Sequence, residues 1–314
     1  MVSNPSSTRP GGPPKAMRSR FVTSTRTRRD RWTFVLFVLP NLALIATFIY
    51  LPLLRNMYYS TLNWTIGSST ATSVGLRNYI TFFTSPDGIT VWRTTAIFTV
   101  ATVGGSMILG LLVAVVLNQK LIGNTVARAA VFSPYVLSGV GVGLVWLFIF
   151  DPTFGVLSYF LRMIGLSSPN WFLDPDLSLV MVILVYIWKN LGYCAVVYLA
   201  GLQSLPRDVM EAASLDGAGS LQRFIRISLP LISPSTFFLL ITTILNSLQA
   251  FDLLRIMTPL GNGTNTLIFE AYLQSFGAYQ RAGYSAAIAV VLFFVLFIVT
   301  VVQLRFVERK VHYA

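Results

Sequence analysis

The chain has few charges. Asp, Glu, Lys and Arg together make up 11% of its 314 residues, against 54% hydrophobic residues. An ordinary soluble domain carries roughly 25% charged residues, so most of this surface must face lipid. One cysteine, Cys194, lies inside an apolar run, which excludes an intramolecular disulfide framework. One histidine, His312, excludes a His-cluster metal site. No G-x-x-x-x-G-K-[ST] run occurs, so ATP is not held by a phosphate loop of this chain. No short apolar stretch with a small-residue cleavage site opens the sequence, so a signal peptide is not expected.

The charge that is present is unbalanced, with a formal net charge of +12. Its placement argues against nucleic acid as a partner. Eight of the 23 Lys and Arg lie between Arg9 and Arg31, ahead of the first apolar run, and no basic face with interleaved aromatics follows. Residues 1–31 are rich in Pro, Ser, Gly, Thr and Arg and are expected to form a flexible, basic cytoplasmic tail. Residues 32–314 are expected to form the membrane domain.

A span needs about 20 apolar residues at 1.5 Å per residue. Six segments qualify: roughly 33–54, 94–117, 130–150, 177–202, 236–256 and 285–304. All are expected to be helices, because a segment in lipid has no other partner for its backbone groups. The fold class is therefore an all-α integral membrane protein with six transmembrane helices. With the N-terminus inside, the cytoplasmic segments hold 16 Lys and Arg and the outer ones six, so both termini are expected in the cytoplasm. Tyr58, Tyr59, Trp64, Trp92 and Trp171 fall near the outer ends, where amphipathic rings suit the interface.

Between the fourth and fifth spans lies a cytoplasmic segment, residues 203–234, unlike a simple connector. Pro206 can open a helix, because its missing N–H costs nothing there. Asp208–Leu215 then read as one short helix, and Asp216, Gly217, Ala218 and Gly219 as a breaker. Ser220 is expected to cap a second helix, Leu221–Ser228, which Leu229 and Pro230 end. Leu221, Phe224, Ile225 and Ile227 would form its apolar face. The residues alone leave two readings open: a loop packed on its own bundle, or a handle for a soluble partner.

Glu211-Ala212-Ala213, three residues, Gly217, nine residues, Ile227, one residue, Leu229-Pro230 resembles the EAA loop of binding-protein-dependent ABC importer permeases. Trp188-Lys189-Asn190, Leu199–Gln203 and Ser133-Pro134-Tyr135 resemble the carbohydrate branch of that family. Thr266-Leu267-Ile268, Ser285-Ala286-Ala287 and Val301–Val311 are similar to the first permease subunit of glycerol-3-phosphate importers. Many sugar permeases carry a Thr-Gly-Gly-Gly-Pro run where this chain has Thr258–Thr264. The resemblance implies a type I ABC importer bundle in the bacterial inner membrane, with no catalytic residue and no cofactor of its own. Mg-ATP would sit on an ATPase dimer. A second, homologous permease and an extracytoplasmic solute-binding protein would complete the assembly. Glu211, Ala212, Ala213, Asp216, Gly217, Ala218, Ile227, Leu229 and Pro230 would couple to the ATPase, with Glu211 facing it and Gly217 making the turn.

Polar residues within a span are costly and face the bundle interior. Thr242, Asn246, Gln249 and Asp252 fall on one helical stripe of the fifth span, and Tyr186, Lys189, Asn190 and Tyr193 on one of the fourth. These eight are candidates for a solute pathway, the alternative being hydrogen bonds that only hold the helices together. Amides and aromatic rings suit polyols and sugars, and Lys189 suits a phosphate. Gly139 and Gly143 predict close helix contact on the third span, and Pro40 and Pro52 predict kinks in the first.

The expected function is import of sn-glycerol-3-phosphate, a glycerophosphodiester or a sugar. A disaccharide permease of the maltose or trehalose kind is the alternative within the family. A lipid-modifying enzyme would need a carboxylate or His cluster at one interface, and the only acidic pair in the outer segments is Asp174 and Asp176. An ion-coupled secondary transporter would show internal repeats, and none is evident.

Overall fold

The structure is a computed structural model and describes residues 26–119 and 122–307. The described residues fall into two compact units that divide between Leu53 and Leu54. In chain order the elements open with helix α1 (Arg26–Ile45), a π-turn (Ala46–Tyr50) and α2 (Leu51–Tyr59). A two-residue antiparallel ladder, β1 (Leu62–Asn63) and β2 (Thr72–Ser73), leads to α3 (Arg77–Thr84) and α4 (Pro86–Leu117). Next come α5 (Asn124–Val136), α6 (Gly139–Ile149), α7 (Val156–Met163) and α8 (Pro175–Gln203). After α9 (Arg207–Leu215), α10 (Ser220–Arg223) runs through a second π-turn (Phe224–Ser228) into α11 (Leu229–Leu231). The chain continues as α12 (Ser233–Leu248), α13 (Asp252–Met257), α14 (Leu267–Phe276) and α15 (Ala282–Val302), which passes into a third π-turn (Gln303–Val307).

Local chemistry sets several boundaries. α4 and α8 both open with an acceptor side chain followed by proline at the first helical position. Ser85 accepts from the Gly88 amide at 3.1 Å, and Asp174 accepts from Asp176 and Leu177 at 2.9 and 3.1 Å. The first two π-turns end two residues before a proline, Pro52 and Pro230. Proline cannot donate to the carbonyl four residues back, and the widened turn just ahead takes up that loss. Helix α1 begins at Arg26, ahead of the boundary expected at residue 31. The rest of the expected tail, residues 1–25, and the resemblance at 308–311 lie outside the described residues.

Among the described residues, five helices are long and apolar enough to cross a membrane: Trp32–Tyr59, Pro86–Leu117, Pro175–Gln203, Ser233–Met257 and Ala282–Arg305. The third expected span differs. α5 and α6 meet at a bend of 99°, so they make a sixth span only if the bent pair counts as one. Leu137 and Ser138 adopt extended conformations between them, ψ 145° and 136°. The fifth span is not one continuous helix either. It breaks over Gln249–Phe251, where φ of Phe251 is −131°. α13 packs on α6 as the small-residue spacing of the third span predicts: a side chain at Gly143 would come within 2.8 Å of Ile256.

Buried apolar residues cluster at both ends of the α4–α8 pair. Phe98, Met181, Val182, Val185 and Leu254 pack near the start of α8, and Ala114, Cys194, Tyr198, Leu199 and Leu239 near its finish. Between these clusters the interior is polar: Thr102, Ser106, Thr243 and Ser247 are buried, with the Thr102 and Ser247 hydroxyls 2.8 Å apart. The segment between the fifth and sixth spans, read as a loop in the sequence, contains the buried helix α14. It docks on α15 and α4, with the Leu267 amide donating to Thr95 Oγ1 at 3.0 Å.

Candidate functional site

The loop after α8 folds as a helix, a tight turn and a second helix. Pro206 stands immediately before α9 with φ −61°, as expected of an opening proline. At the far end Asp216 N bonds Ala212 O (3.0 Å), Gly217 N bonds Ser214 O (3.2 Å) and Ala218 N bonds Ala213 O (3.0 Å). That pattern closes a helix with a left-handed residue, and Gly217 supplies it at φ 78°. The second helix differs from expectation at both ends. Gly219, not Ser220, is the residue before the first helical turn, and no side chain caps it. Leu229 and Pro230 do not end the helix, which runs through the π-turn to Leu231.

The expected apolar face of the second helix is split. Phe224 packs against the cluster around Tyr198 and Leu199, and Ile227 is half-buried, whereas Leu221 is 72% and Ile225 52% exposed. Leu215, just before the turn, is 89% exposed. Two large apolar side chains therefore flank an open hairpin with no cover from the described residues. Ala213, Asp216, Gly217, Ala218 and Ile227 line one shallow crevice with Gln222 and Arg226. Glu211 and Ala212 lie exposed outside it, as does Leu229, and Pro230 is half-buried.

The two polar stripes of the fourth and fifth spans converge. Tyr186, Lys189, Asn190, Asn246, Gln249 and Asp252 line one cavity of about 430 Å³ with Tyr135 and Gly139. Tyr193 and Thr242 stand beside it, joined by a 3.3 Å hydrogen bond, with the Tyr193 ring stacked on Tyr135 at 4.8 Å. The breaks in the third and fifth spans shape the wall. Gly139 starts α6 against Asp252, where an added Cβ would lie 3.0 Å from the Asp252 Cβ. A carboxylate beside a helix start is favourably placed, because the unpaired N–H groups there carry partial positive charge.

Hydrogen bonding separates the eight candidates. Lys189 Nζ donates to the carbonyl oxygens of Tyr135 (2.9 Å), Leu137 (2.8 Å) and Pro134 (3.4 Å), and so caps the open end of α5. Tyr186 donates its hydroxyl to Asn246 O at 2.9 Å, Asn190 its amide to Tyr186 O at 2.8 Å, and Thr242 its hydroxyl to Phe238 O at 3.0 Å. The Lys189 and Tyr186 bonds join different helices, whereas Asn190 and Thr242 bond carbonyls one turn back in their own helices. The side chains of Asn246, Gln249 and Asp252 are exposed to the cavity and have no hydrogen-bond partner among the described residues. Tyr135 and Gly139 were missed as wall residues, because only the bend in the third span brings them there.

Residues 17–313 match the family model described as the binding-protein-dependent transport system inner membrane component. The chain is 33% identical over 287 residues to the sn-glycerol-3-phosphate transport system permease protein UgpA of Yersinia pestis bv. Antiqua (strain Antiqua), covering 90% of this chain and 96% of that one. It is 34% identical over 286 residues to the sulfoquinovosyl glycerol transport system permease protein SmoG of Agrobacterium fabrum, covering 90% and 92%. In fold it is similar to a chain of a bacterial ABC transporter involved in the import of the acidic polysaccharide alginate, with a TM-score of 0.75 at 22% identity over 90% of this chain and 98% of that one.

Proposed function

This chain belongs to the binding-protein-dependent transport system inner membrane components and is a permease subunit of an ABC importer; from that premise we propose that its loop 203–234 is the handle through which a separate ATPase moves it. The observation that carries this is the hydrogen-bonded turn at Gly217 flanked by the exposed Leu215 and Leu221. A hydrogen-bonded hairpin passes on a push, and exposed apolar side chains next to the exposed Glu211 suit insertion into a cleft of another protein. The ATPase binds Mg-ATP as a dimer, and this chain contributes neither a catalytic residue nor a cofactor. A second, homologous permease supplies the other handle, and an extracytoplasmic binding protein delivers solute to the opposite face. Both termini and the handle lie on the cytoplasmic side of the bacterial inner membrane.

The solute is a glycerol-containing polar molecule, sn-glycerol-3-phosphate or a glycerol glycoside or diester, in keeping with the names of the relatives. It passes the cavity between the fourth and fifth spans, where the free amides of Asn246 and Gln249 pair with hydroxyls. Uptake by the reconstituted complex, with sn-glycerol-3-phosphate, a glycerophosphodiester, glycerol glucoside and a disaccharide as solutes, tests this. Saturable uptake of a glycerol-containing solute is expected. Uptake of the disaccharide alone overturns the substrate reading, and normal uptake by Glu211→Arg overturns the handle.

A further inference from the structure

A second cavity of about 700 Å³ lies at the end of the bundle opposite the coupling loop, around the start of α4 and between α13 and α14. Its position follows from α8, which runs about 43 Å from Pro175 to Gln203 at 1.5 Å per residue. Gly263 of the cavity wall abuts Pro175 at the far end of that helix. The volume is that of a small-molecule site.

Two arginines line this cavity, and each is held by the protein without being neutralised. Arg255 donates through Nε to the Tyr272 hydroxyl at 3.3 Å and lies 5.4 Å from the centre of that ring. Arg281 donates through Nε to Gln274 Oε1 at 3.0 Å and stands 4.9 and 5.0 Å from the rings of Tyr279 and Tyr284. Stacking on aromatic faces fixes a guanidinium while leaving its charge in place. Among the described residues, the terminal nitrogens of neither arginine have a hydrogen-bond partner.

The carboxylate best placed to neutralise them is occupied. Glu270 is buried, and its two oxygens accept from Asn265 Nδ2 at 2.7 Å and Gln274 Nε2 at 2.6 Å. Gln274 thus accepts from Arg281 and donates to Glu270, spacing the two charges apart. Asp87, in the first turn of α4, is the other acidic residue on the wall, and it makes no ion pair with either arginine. What remains is a pair of pre-oriented guanidiniums whose terminal N–H groups await an acceptor.

We propose that this cavity is an anion-binding vestibule in which Arg255 and Arg281 take the phosphate or other oxyanion of a solute before it reaches the cavity between the fourth and fifth spans. A phosphate offers the paired oxygens that a guanidinium fork recognises, and the fixed side chains have little freedom left to lose on binding. The solute assignment rests on the function proposed above, but the oxyanion site does not.

The test uses the complete complex in lipid nanodiscs, without binding protein, and two readouts. Binding of radiolabelled inorganic phosphate and of sn-glycerol-3-phosphate is measured directly, and uptake of sn-glycerol-3-phosphate and of neutral glycerol glucoside is measured after reconstitution with the binding protein. Arg255→Gln with Arg281→Gln is expected to weaken binding of both phosphates at least tenfold and to raise the half-saturation for the anionic solute only. Arg255→Lys with Arg281→Lys retains the charge and is expected to recover most of the binding. Phosphate binding unchanged in the glutamine pair overturns the vestibule. So does an equal loss of uptake for charged and neutral solutes with weakened docking of the binding protein, which assigns the arginines to that protein's contact. If the wild type binds phosphate here but imports no phosphorylated solute, the vestibule stands and the phosphorylated members of the substrate reading above fall, leaving the glycerol glycoside.

Discussion

Lys189 Nζ lies 2.9 Å from the carbonyl oxygen of Tyr135, and through this bond the fourth span holds the broken end of the third. An ammonium among open carbonyls is the favoured partner of a helix C-terminus. The residue that looks in sequence most like a phosphate ligand donates in the structure to the carbonyls of a helix end.

Lys189→Met is therefore expected to weaken the whole bundle. A hydrogen bond from a charged donor contributes about 1.5–3 kcal/mol, and three carbonyls, in two partly buried bonds and one exposed bond, share this donor. Thermal unfolding of the detergent-solubilised complex checks it, with uptake falling alike for every solute. A loss confined to anionic solutes, with unchanged melting, would return Lys189 to the substrate.

Gly217→Val places a β-branched residue at φ 78°, where an L-side chain costs roughly 1–2 kcal/mol. Nothing else lies within 4 Å of an added Cβ there, so the effect is confined to the turn. Membrane insertion should be normal, while solute-stimulated ATP hydrolysis drops at least several-fold. Wild-type stimulation would show that the turn's shape is not what the ATPase grips.

Asn246→Ala removes an amide that faces the cavity with no partner among the described residues, and leaves the carbonyl that accepts from Tyr186 in place. Folding should be unaffected, while half-saturation rises about 5- to 50-fold, the size of one or two lost hydrogen bonds. Asn190→Ala should change half-saturation less, since that amide is already engaged by Tyr186 O one turn back in its own helix. Transport kinetics of the two variants, set against their melting temperatures, separate solute contact from helix contact.

Gly143→Leu drives a side chain into Ile256, 2.8 Å from where even a Cβ would stand. Overpacking of this kind costs about 1–3 kcal/mol or more. Reduced melting with partial recovery in Gly143→Leu/Ile256→Ala is the expected signature of direct contact. Unaltered melting in the single variant would place α13 elsewhere.

Asp151 lies just beyond α6 and accepts from the Thr153 and Phe154 amides at 2.8 and 2.7 Å, which lowers its carboxyl pKa. A lowered folded pKa adds stability above the unfolded value, about 3.9, and that stability is lost as pH falls through the folded one. Hydrogen exchange at these two amides should therefore lose protection on acidification below about pH 4. In Asp151→Asn the protection should no longer depend on that titration.

Sequence made the hairpin of residues 203–234 legible because its causes are local. Pro206 opens a helix, Gly217 alone tolerates the left-handed turn, and both act within a few residues. The bend after Val136 was not legible, because the cap that permits it arrives from Lys189 on another helix. Helix α14 was hidden for a similar reason. Its Glu270 and Gln274 look like surface residues until Asn265 and Arg281 are placed beside them. The polar stripes were visible as spacing, but which members are free for solute depended on hydrogen-bond partners that spacing does not reveal.

The polar middle of the α4–α8 interior lies between two apolar clusters, around Phe98 and Leu254 on one side and Tyr198 and Leu239 on the other. The hydroxyls of Thr102 on α4 and Ser247 on α12 pair across that middle. Sliding one helix along the other by a turn would part the pair and leave the Ser247 hydroxyl buried without its partner. The seam therefore fixes the register of the two helices, which uniformly oily faces would leave free to slip.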